Sequence, residues 1–274
     1  MGSGIARSLQ RAGFTVAVHD VVAAAVEPFE GTAEVYGSAG EVAQRCDTTL
    51  IVVFDADQVR DVLFGPQGVV AHARPDGLVG VVSTVAVPVV HELVERAAPS
   101  GVTIVDAGVT GGVKGAAEGT LVTLVGAADD TFARFEPVAN GFSSLVLHMG
   151  PVGAGMATKV ARNAITYATF RAAYEAGLLV ERSGLDLAKL VQAIRHSEGQ
   201  FGGASAQLVA RMTVAPLADD DPRLVEARHM VALAHKDLEG AKLLAAELDV
   251  AVPLIELTET MSEAMFGLPR TSEV

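Results

Sequence analysis

The stretch GPVGAGMATKVARN, residues 150–163, divides the chain into two parts with different sequence patterns. Before it, short β-branched runs such as TTLIVVF at residues 48–54 alternate with helix-like segments. The other runs are residues 14–18, 79–82, 102–105 and 121–125, and the helix-like segments are 4–11, 39–45, 56–63, 89–97 and 131–138. Strands that alternate with helices form mostly parallel sheets covered on both faces, so this part predicts a Rossmann-type α/β domain over residues 1–150.

After residue 150 the pattern is helical throughout. One long helical segment spans residues 152–184, and shorter ones follow at 186–196, 204–212, 224–248 and 253–266. Turn-forming residues separate these segments. We therefore expect a second, all-α domain over residues 151–274 that begins with a long interdomain helix.

Composition restricts the classes of function that the chain can have. Its 274 residues carry a net charge of −13, which disfavours binding to nucleic acid or to anionic membranes. Cys46 is the single cysteine, so an internal disulfide is excluded. The sequence has neither a long apolar run nor a signal-peptide pattern, and its histidines are scattered. A soluble, cytoplasmic protein without a metal site is expected.

The first twenty residues carry part of a dinucleotide-binding pattern. Gly2 opens a helical segment, a strand follows, and Asp20 stands 18 residues after Gly2. In such folds a glycine lets the backbone approach the pyrophosphate, and an acidic residue about 20 positions later accepts hydrogen bonds from the ribose. The strand and the two glycines that precede this helix in the full pattern are missing. We therefore expect an N-terminally truncated sheet and weak dinucleotide binding. As the explanation of the missing segment, a start codon upstream of Met1 is favoured over a decayed gene copy.

A glycine-rich stretch, VDAGVTGGVKGAAEGTL, occupies residues 105–121. Consecutive glycines after Thr110 allow the backbone N–H groups of Gly111 and Gly112 to converge on an anion, and the threonine can add its hydroxyl. The alternative interpretation is a glycine-rich hairpin without a ligand.

Two lysines in the second part are candidates for chemistry. Lys159 and Asn163 are four residues apart and share one face of the predicted helix. A lysine sheltered from solvent can exchange a proton with an alcohol oxygen near neutral pH. Lys236, in the sequence HKDL, can place a second positive charge near a substrate carboxylate or the cofactor. Each lysine taken alone is more often a solvated surface residue.

Together and in this order, these motifs resemble the β-hydroxyacid dehydrogenase family, which includes 3-hydroxyisobutyrate dehydrogenase and tartronate semialdehyde reductase. The resemblance covers the whole chain and also rests on VLFGP with Gly68 and on Ser83-Thr84. It implies that Lys159 is the proton donor and acceptor. The implied substrate-binding residues are Thr110, Gly111, Gly112, Asn163 and Lys236, and the implied cofactor-binding residues are Gly2, Asp20, Ser83, Thr84 and Lys236. The family more often has Ser at the position of Thr110.

The expected activity is hydride transfer between a nicotinamide cofactor and a small, carboxylate-bearing β-hydroxyacid or its semialdehyde. Asp20 is followed by Val21 and Val22 rather than by a cation, so NAD is favoured over NADP. The resemblance implies a homodimer or homotetramer formed through the helical domain, and we expect the loop at residues 196–203 to line the substrate pocket. The alternative from another class is a truncated, non-catalytic scaffold. 6-Phosphogluconate dehydrogenases are disfavoured because Arg162, rather than a histidine, precedes Asn163. Imine reductases are disfavoured because they generally lack the lysine that is present here as Lys159.

Overall fold

The computed structural model describes residues 1–182, 184–198, 215–247 and 253–268. The chain forms two compact units, Met1–Lys159 and Val160–Val274. Their boundary falls inside a long helix, later than the division at residue 150 that the sequence pattern predicts. The predicted roles of the two domains stay predictions.

The first unit is an α/β domain with helices between its strands. Its strands are β1 (Ala17–Val18), β2 (Glu34–Val35), β3 (Thr48–Ile51), β4 (Leu78–Val81), β5 (Thr103–Thr110), β6 (Leu121–Gly126) and β7 (Ser143–Gly150). Its helices are α1 (Gly2–Arg11), α2 (Ala23–Val26), α3 (Ala39–Arg45), α4 (Ala56–Phe64), α5 (Val69–His72), α6 (Val87–Ala97), α7 (Gly112–Glu118) and α8 (Asp129–Asn140). Helix α9 (Ala154–Arg182) begins in this unit and continues into the second.

The strands of the first unit form two sheets rather than the single sheet that the sequence predicts. β1 and β2 pair in parallel, and the larger sheet has the order β3-β4-β5-β6-β7. All neighbours in the larger sheet are parallel except β5 and β6. A parallel crossover needs about a dozen residues or more, and the connection between β5 and β6 covers only residues 111–120. The antiparallel step therefore follows from the length of that connection.

The core of the first unit lies on both faces of the larger sheet. All four residues of β4 are buried, as expected for a strand covered on both sides. Strand β7 was not predicted, because its continuous apolar run is only the three residues Leu145–Leu147, between Ser144 and His148. The buried cluster contains Ile5, Leu9, Leu78, Val82, Val105, Ala107, Val109, Ala116, Leu121, Val125, Ala127, Phe135, Ala139 and Phe142.

In the described residues of the second unit, the regular secondary structure is helical, so the predicted fold class is confirmed for both parts. After α9 come α10 (Leu187–Glu198), α11 (Leu224–Glu247), α12 (Pro253–Glu259) and α13 (Ser262–Phe266). The predicted helix at 204–212 and most of the predicted pocket loop at 196–203 lie outside the described residues. The main core of the second unit contains Tyr167, Leu217, Leu224, Ala227, Val231, Ala234, Leu238, Met265 and Phe266. Among the described residues, no helix is both long and apolar enough to cross a membrane.

Candidate active site

The first turn of α1 lies beside the carboxyl end of β3. A Cβ placed on Gly2 would lie 3.5 Å from the Cβ of Val52. The N–H of Ile5 donates to the carbonyl of Met1 at 3.1 Å, so the N–H groups of the preceding residues are those that a helix leaves without an intrahelical partner. Residues 2–5 are Gly, Ser, Gly and Ile, which bring no negative charge to this helix end. An anionic phosphate group fits such a helix N-terminus.

Asp20 stands two residues after β1 and is exposed. Its Oδ1 accepts a hydrogen bond of 2.9 Å from the N–H of Val22, which fixes the turn that follows the strand. Val21 is 93% exposed, and residues 21–26 contain no cationic side chain. The carboxylate is therefore placed at a carboxyl strand end, where nucleotide ligands bind in folds of this type.

Ser83 joins the carboxyl ends of β3 and β4. Its Oγ accepts a hydrogen bond of 2.7 Å from the N–H of Val53 and donates to the carbonyl of Val53 at 2.8 Å. The side chain is buried, whereas that of Thr84 is half-buried. The hydroxyl of Ser83 thus holds two strand ends together, and Thr84 is the member of the pair that is open to a ligand.

The turn from β5 into α7 requires both of its glycines. Gly111 has a φ of 127° and Gly112 a φ of 65°, a region that side-chain-bearing residues rarely adopt. A Cβ on Gly111 would lie 3.0 Å from Cδ2 of Leu121, whereas a Cβ on Gly112 would meet no described atom within 4 Å. The half-buried Thr110 ends the strand directly before this turn. β5 and β6 are antiparallel neighbours, as in a hairpin, but a helix connects them and opens at Gly112.

Helices α1 and α7 are packed so closely that only a glycine fits at one position. A Cβ on Gly4 would lie 2.9 Å from the backbone carbon of Ala116 and from the nitrogen of Ala117. One turn later, Ser8 Oγ donates to the carbonyl of Ala116 at 2.8 Å. The helix that begins at Gly2 and the helix that begins at Gly112 are therefore held in a fixed relation. Sequence reasoning missed this role of Gly4 and Ser8, although small residues spaced by four are its usual signal.

Lys159 lies on α9 with its side chain only 8% exposed. Its stem rests on β5: a Cβ on Gly108 would lie 2.6 Å from the Cβ of Lys159 and 2.9 Å from its Cγ. Gly108 precedes Thr110 by two residues, so the strand that supports the lysine is the strand that ends in the glycine turn. Lys159 therefore packs against the strand that leads into the segment 110–112.

In the second unit, Asp237 contacts Asn163 and Lys236, which the sequence analysis predicts as site residues, and also Tyr167. Its Oδ2 accepts from Asn163 Nδ2 at 2.5 Å and from the Tyr167 hydroxyl at 3.3 Å, and its Oδ1 lies 3.4 Å from Lys236 Nζ. Asp237 is 5% exposed. Burial, followed by the charge and hydrogen bond of Asp237, raises the pKa of Tyr167, which keeps its proton and donates. The sequence motif HKDL includes Asp237, but sequence reasoning gave a role only to Lys236.

Matches to known proteins extend over both units. Residues 1–150 match the family described as the NAD binding domain of 6-phosphogluconate dehydrogenase, and residues 153–268 match the NAD-binding region of NADP-dependent 3-hydroxyisobutyrate dehydrogenase. An uncharacterised oxidoreductase of Mycobacterium tuberculosis is 39% identical over 253 residues, which are 92% of this chain and 85% of that protein.

Two further relatives have names that state an activity. The L-threonate dehydrogenase of Cupriavidus necator is 33% identical over 201 residues, which are 73% of this chain and 68% of that protein. The crystal structure of 3-hydroxyisobutyrate dehydrogenase from Salmonella typhimurium superposes with a TM-score of 0.82 at 26% identity, over 97% of this chain and 95% of that one.

The fold and these matches define an oxidoreductase that uses a nicotinamide dinucleotide. Within that class, the chain belongs to the β-hydroxyacid dehydrogenase family, so the family that its motifs predict is confirmed. The predicted hydride transfer with a nicotinamide cofactor and a small-molecule substrate is confirmed at the level of the family. Among the described residues, no group of three or more His, Cys, Asp or Glu side chains could hold a metal ion.

Proposed function

We propose that this protein interconverts a small β-hydroxyacid and its semialdehyde, with Lys159 transferring the proton and NAD as the favoured cofactor. The observation that carries the proposal is the position of Lys159 on β5. Its buried stem rests on Gly108, and the same strand ends at Thr110 and continues into a glycine turn that is open beside Gly112. A proton-transfer group and an anion-binding turn are thus supported by one rigid strand.

In the oxidation direction, Lys159 Nζ in its neutral form takes the proton of the substrate hydroxyl as the C–H bond breaks. The bound nicotinamide supplies the acceptor for the hydride. In the reverse direction, the protonated Nζ returns the proton to the carbonyl oxygen. Burial around Lys159 excludes water from this transfer and keeps the amine in one position.

The substrate carboxylate binds at the turn after β5. The N–H groups of Gly111 and Gly112 and the Thr110 hydroxyl are its donors. Asn163 is one helical turn from Lys159 and is held by Asp237, so its amide is oriented before substrate arrives. Lys236 contributes positive charge to the same carboxylate or to the cofactor.

The described residues of the first unit also fit the dinucleotide. The N-terminus of α1 at Gly2 would hold the pyrophosphate, Asp20 the ribose hydroxyls, and Thr84, beside the bound Ser83, the nicotinamide side. Asp20 would repel a 2′-phosphate, and the nearest following charges are Glu27 and Glu30, which supports NAD over NADP. Cytoplasmic location and a homo-oligomer formed through the helical domain belong to the same proposal.

The names of two relatives suggest where a substrate search should begin. 3-Hydroxyisobutyrate and L-threonate are both small hydroxyacids, and both names come from proteins similar to this chain. We therefore expect activity within a panel of small β-hydroxyacids rather than with phosphorylated sugars or imines.

The test is steady-state turnover of this panel with NAD and NADP, together with the variant Lys159→Ala. Loss of the proton-transfer group lowers kcat by about 10²–10⁴-fold, whereas the affinity for NADH, measured by fluorescence titration, changes by less than about threefold. Lys189→Ala, which removes an exposed lysine of α10, is the matched control and keeps wild-type turnover. Turnover of Lys159→Ala within about tenfold of wild type would remove Lys159 from the mechanism.

A further inference from the structure

Three alternate residues of β5, namely Asp106, Gly108 and Thr110, point to one face of the sheet. Thr110 belongs to the proposed carboxylate site, and Gly108 contacts the stem of Lys159. Asp106 has no role in the sequence motifs or in the proposed mechanism. This carboxylate is fully buried, which is costly for a charged group unless it is hydrogen-bonded.

Asp106 is bound by the backbone at the start of α9. Its Oδ1 accepts from the N–H of Gly153 at 2.7 Å, and its Oδ2 accepts from the N–H of Met156 at 2.6 Å. These N–H groups belong to the first turn of the helix and the residue before it, where the helix provides no acceptors. A negative charge at this helix end is also favoured by the helix dipole. The strand therefore caps the helix that carries Lys159 one turn later.

The surrounding backbone leaves this contact no freedom. A Cβ on Gly155 would lie 2.5 Å from the carbonyl oxygen of Leu124 and 2.9 Å from that of Asp106. A Cβ on Gly126 would overlap the Asp106 carboxylate itself. The start of α9 is consequently pressed against β5 and β6, and its N–H groups cannot shift to other acceptors.

We propose that Asp106 and Gly108 are positioning residues for Lys159. Asp106 fixes the axial position and rotation of α9 through two backbone N–H groups, and Gly108 fixes the distance of the lysine stem from β5. Because Thr110 lies on the same face of the same strand, the two contacts set where the lysine amine stands relative to the carboxylate-binding turn. The inference rests on the proposed function of Lys159. It assigns to the strand, rather than to the helix, the alignment of the proton donor.

The first test is Asp106→Asn, which keeps the shape of the side chain but presents an N–H₂ group to one of the two N–H donors. We expect kcat to fall by about 10–100-fold, since a displacement of about 1 Å at a reacting group can cost that much. The KM for NAD changes by less than about threefold. The solvent deuterium isotope effect on kcat increases, because proton transfer to a misplaced lysine becomes the slow step.

The second test is Gly108→Ala, whose methyl group would overlap Cβ and Cγ of Lys159 and displace the lysine together with its part of α9, while the side chain of Asp106 is unchanged. It is expected to lower kcat and to increase the solvent isotope effect in the same way. It keeps the proposal testable if Asp106→Asn does not fold. The matched control is Asp186→Asn, the same exchange at an exposed carboxylate that accepts the N–H of Ala188 at 2.9 Å at the start of α10. This control keeps wild-type kcat and isotope effect.

The outcomes separate this inference from the proposed function. If Lys159→Ala is inactive while Asp106→Asn and Gly108→Ala show wild-type kcat, the positioning role is overturned and the function of Lys159 stands. A lower kcat with an unchanged isotope effect in both variants, in proportion to a reduced folded fraction, also overturns it. If Lys159→Ala remains active, the proposed function itself fails.

Discussion

The two parts of α9 are held by different kinds of contact. At its start, in the first unit, the helix is fixed by backbone groups and glycines: the N–H groups of Gly153 and Met156 bind Asp106, and Gly155 lies against strand backbone. Further along, in the second unit, it is fixed by side chains, because Asn163 and Tyr167 both donate to Asp237. Backbone contacts cannot be repacked by changing rotamers, whereas side-chain contacts can. The start of the helix should therefore tolerate much less change.

The largest effect is expected from a methyl group at the start of α9. Gly155→Ala places its Cβ 2.5 Å from the carbonyl oxygen of Leu124 and 2.7 Å from the nitrogen of Gly126, both of which are backbone atoms that cannot move aside. We expect the free energy of unfolding to fall by about 3 kcal/mol or more, at the upper end of the cost of overpacking. Urea unfolding followed by circular dichroism measures it.

Gly240→Ala on α11 is the matched substitution in the second unit. A Cβ there would be 3.4 Å from Cγ1 of Val160, which is close to ordinary van der Waals contact. Alanine is favoured over glycine in a helix interior by about 1 kcal/mol, so this variant should keep or raise the stability. Equal losses for the two variants would contradict the distinction between the two parts of the helix.

A smaller loss is expected when the side-chain contacts are broken. Asp237→Ala removes the shared acceptor of Asn163 and Tyr167 from a buried position. Buried donors left without a partner cost about 1–3 kcal/mol, and we expect a destabilisation of about 2–3 kcal/mol in urea unfolding. Asp186→Ala, which removes an exposed carboxylate, serves as the control and should change the stability by less than about 1 kcal/mol.

The loss of kcat in Asp237→Ala should exceed what its stability explains. Asn163 loses the partner that orients it, so turnover falls even under conditions in which the variant is fully folded. A variant that is folded and has wild-type kcat would show that Asp237 has a purely structural role.

The smallest expected effect is the contribution of the Tyr167 hydroxyl to the free energy of unfolding, which depends on alkaline pH. The folded state holds the pKa of Tyr167 above its unfolded value of about 10, so the protonated hydroxyl contributes stability that is complete below pH of about 10. That contribution is lost as the pH rises towards the folded pKa. Tyr167→Phe should therefore be about 1 kcal/mol less stable at pH 7 and should lose less stability than wild type above pH 10. Parallel alkaline curves for both proteins would contradict this assignment.

Much of the fold follows from local patterns. The alternation of β-branched runs with helical segments before residue 150, and the helical pattern after it, predict both kinds of domain because each element buries its own apolar face. Helix α7 and strand β7 were missed for the opposite reason. The glycine-rich α7 has weak helix propensity and depends on contacts with α1, whereas β7 is an edge strand with a short apolar run.

The candidate site divides in the same way. Gly111 and Gly112 could be recognised because glycine itself tolerates a positive φ. Lys159 and Asn163 could be recognised because their helical spacing places them on one face. No role could be assigned from the sequence to Asp106, Gly4 or Asp237, since each contacts residues far away in sequence. Asp106 binds the start of α9, Gly4 packs against α7, and Asp237 of α11 binds Asn163 of α9. Sequence order carries no distance information for such pairs.

The sequence by itself determined the family and the class of reaction, because these depend on motifs of adjacent or regularly spaced residues. Only the tertiary structure decided how these residues are held. The cap that Asp106 places on α9 and the grouping of Asn163 and Tyr167 at Asp237 both arise from long-range packing. The physical reason is that buried polar groups must find partners wherever the folded chain brings an acceptor or donor, which no local pattern specifies.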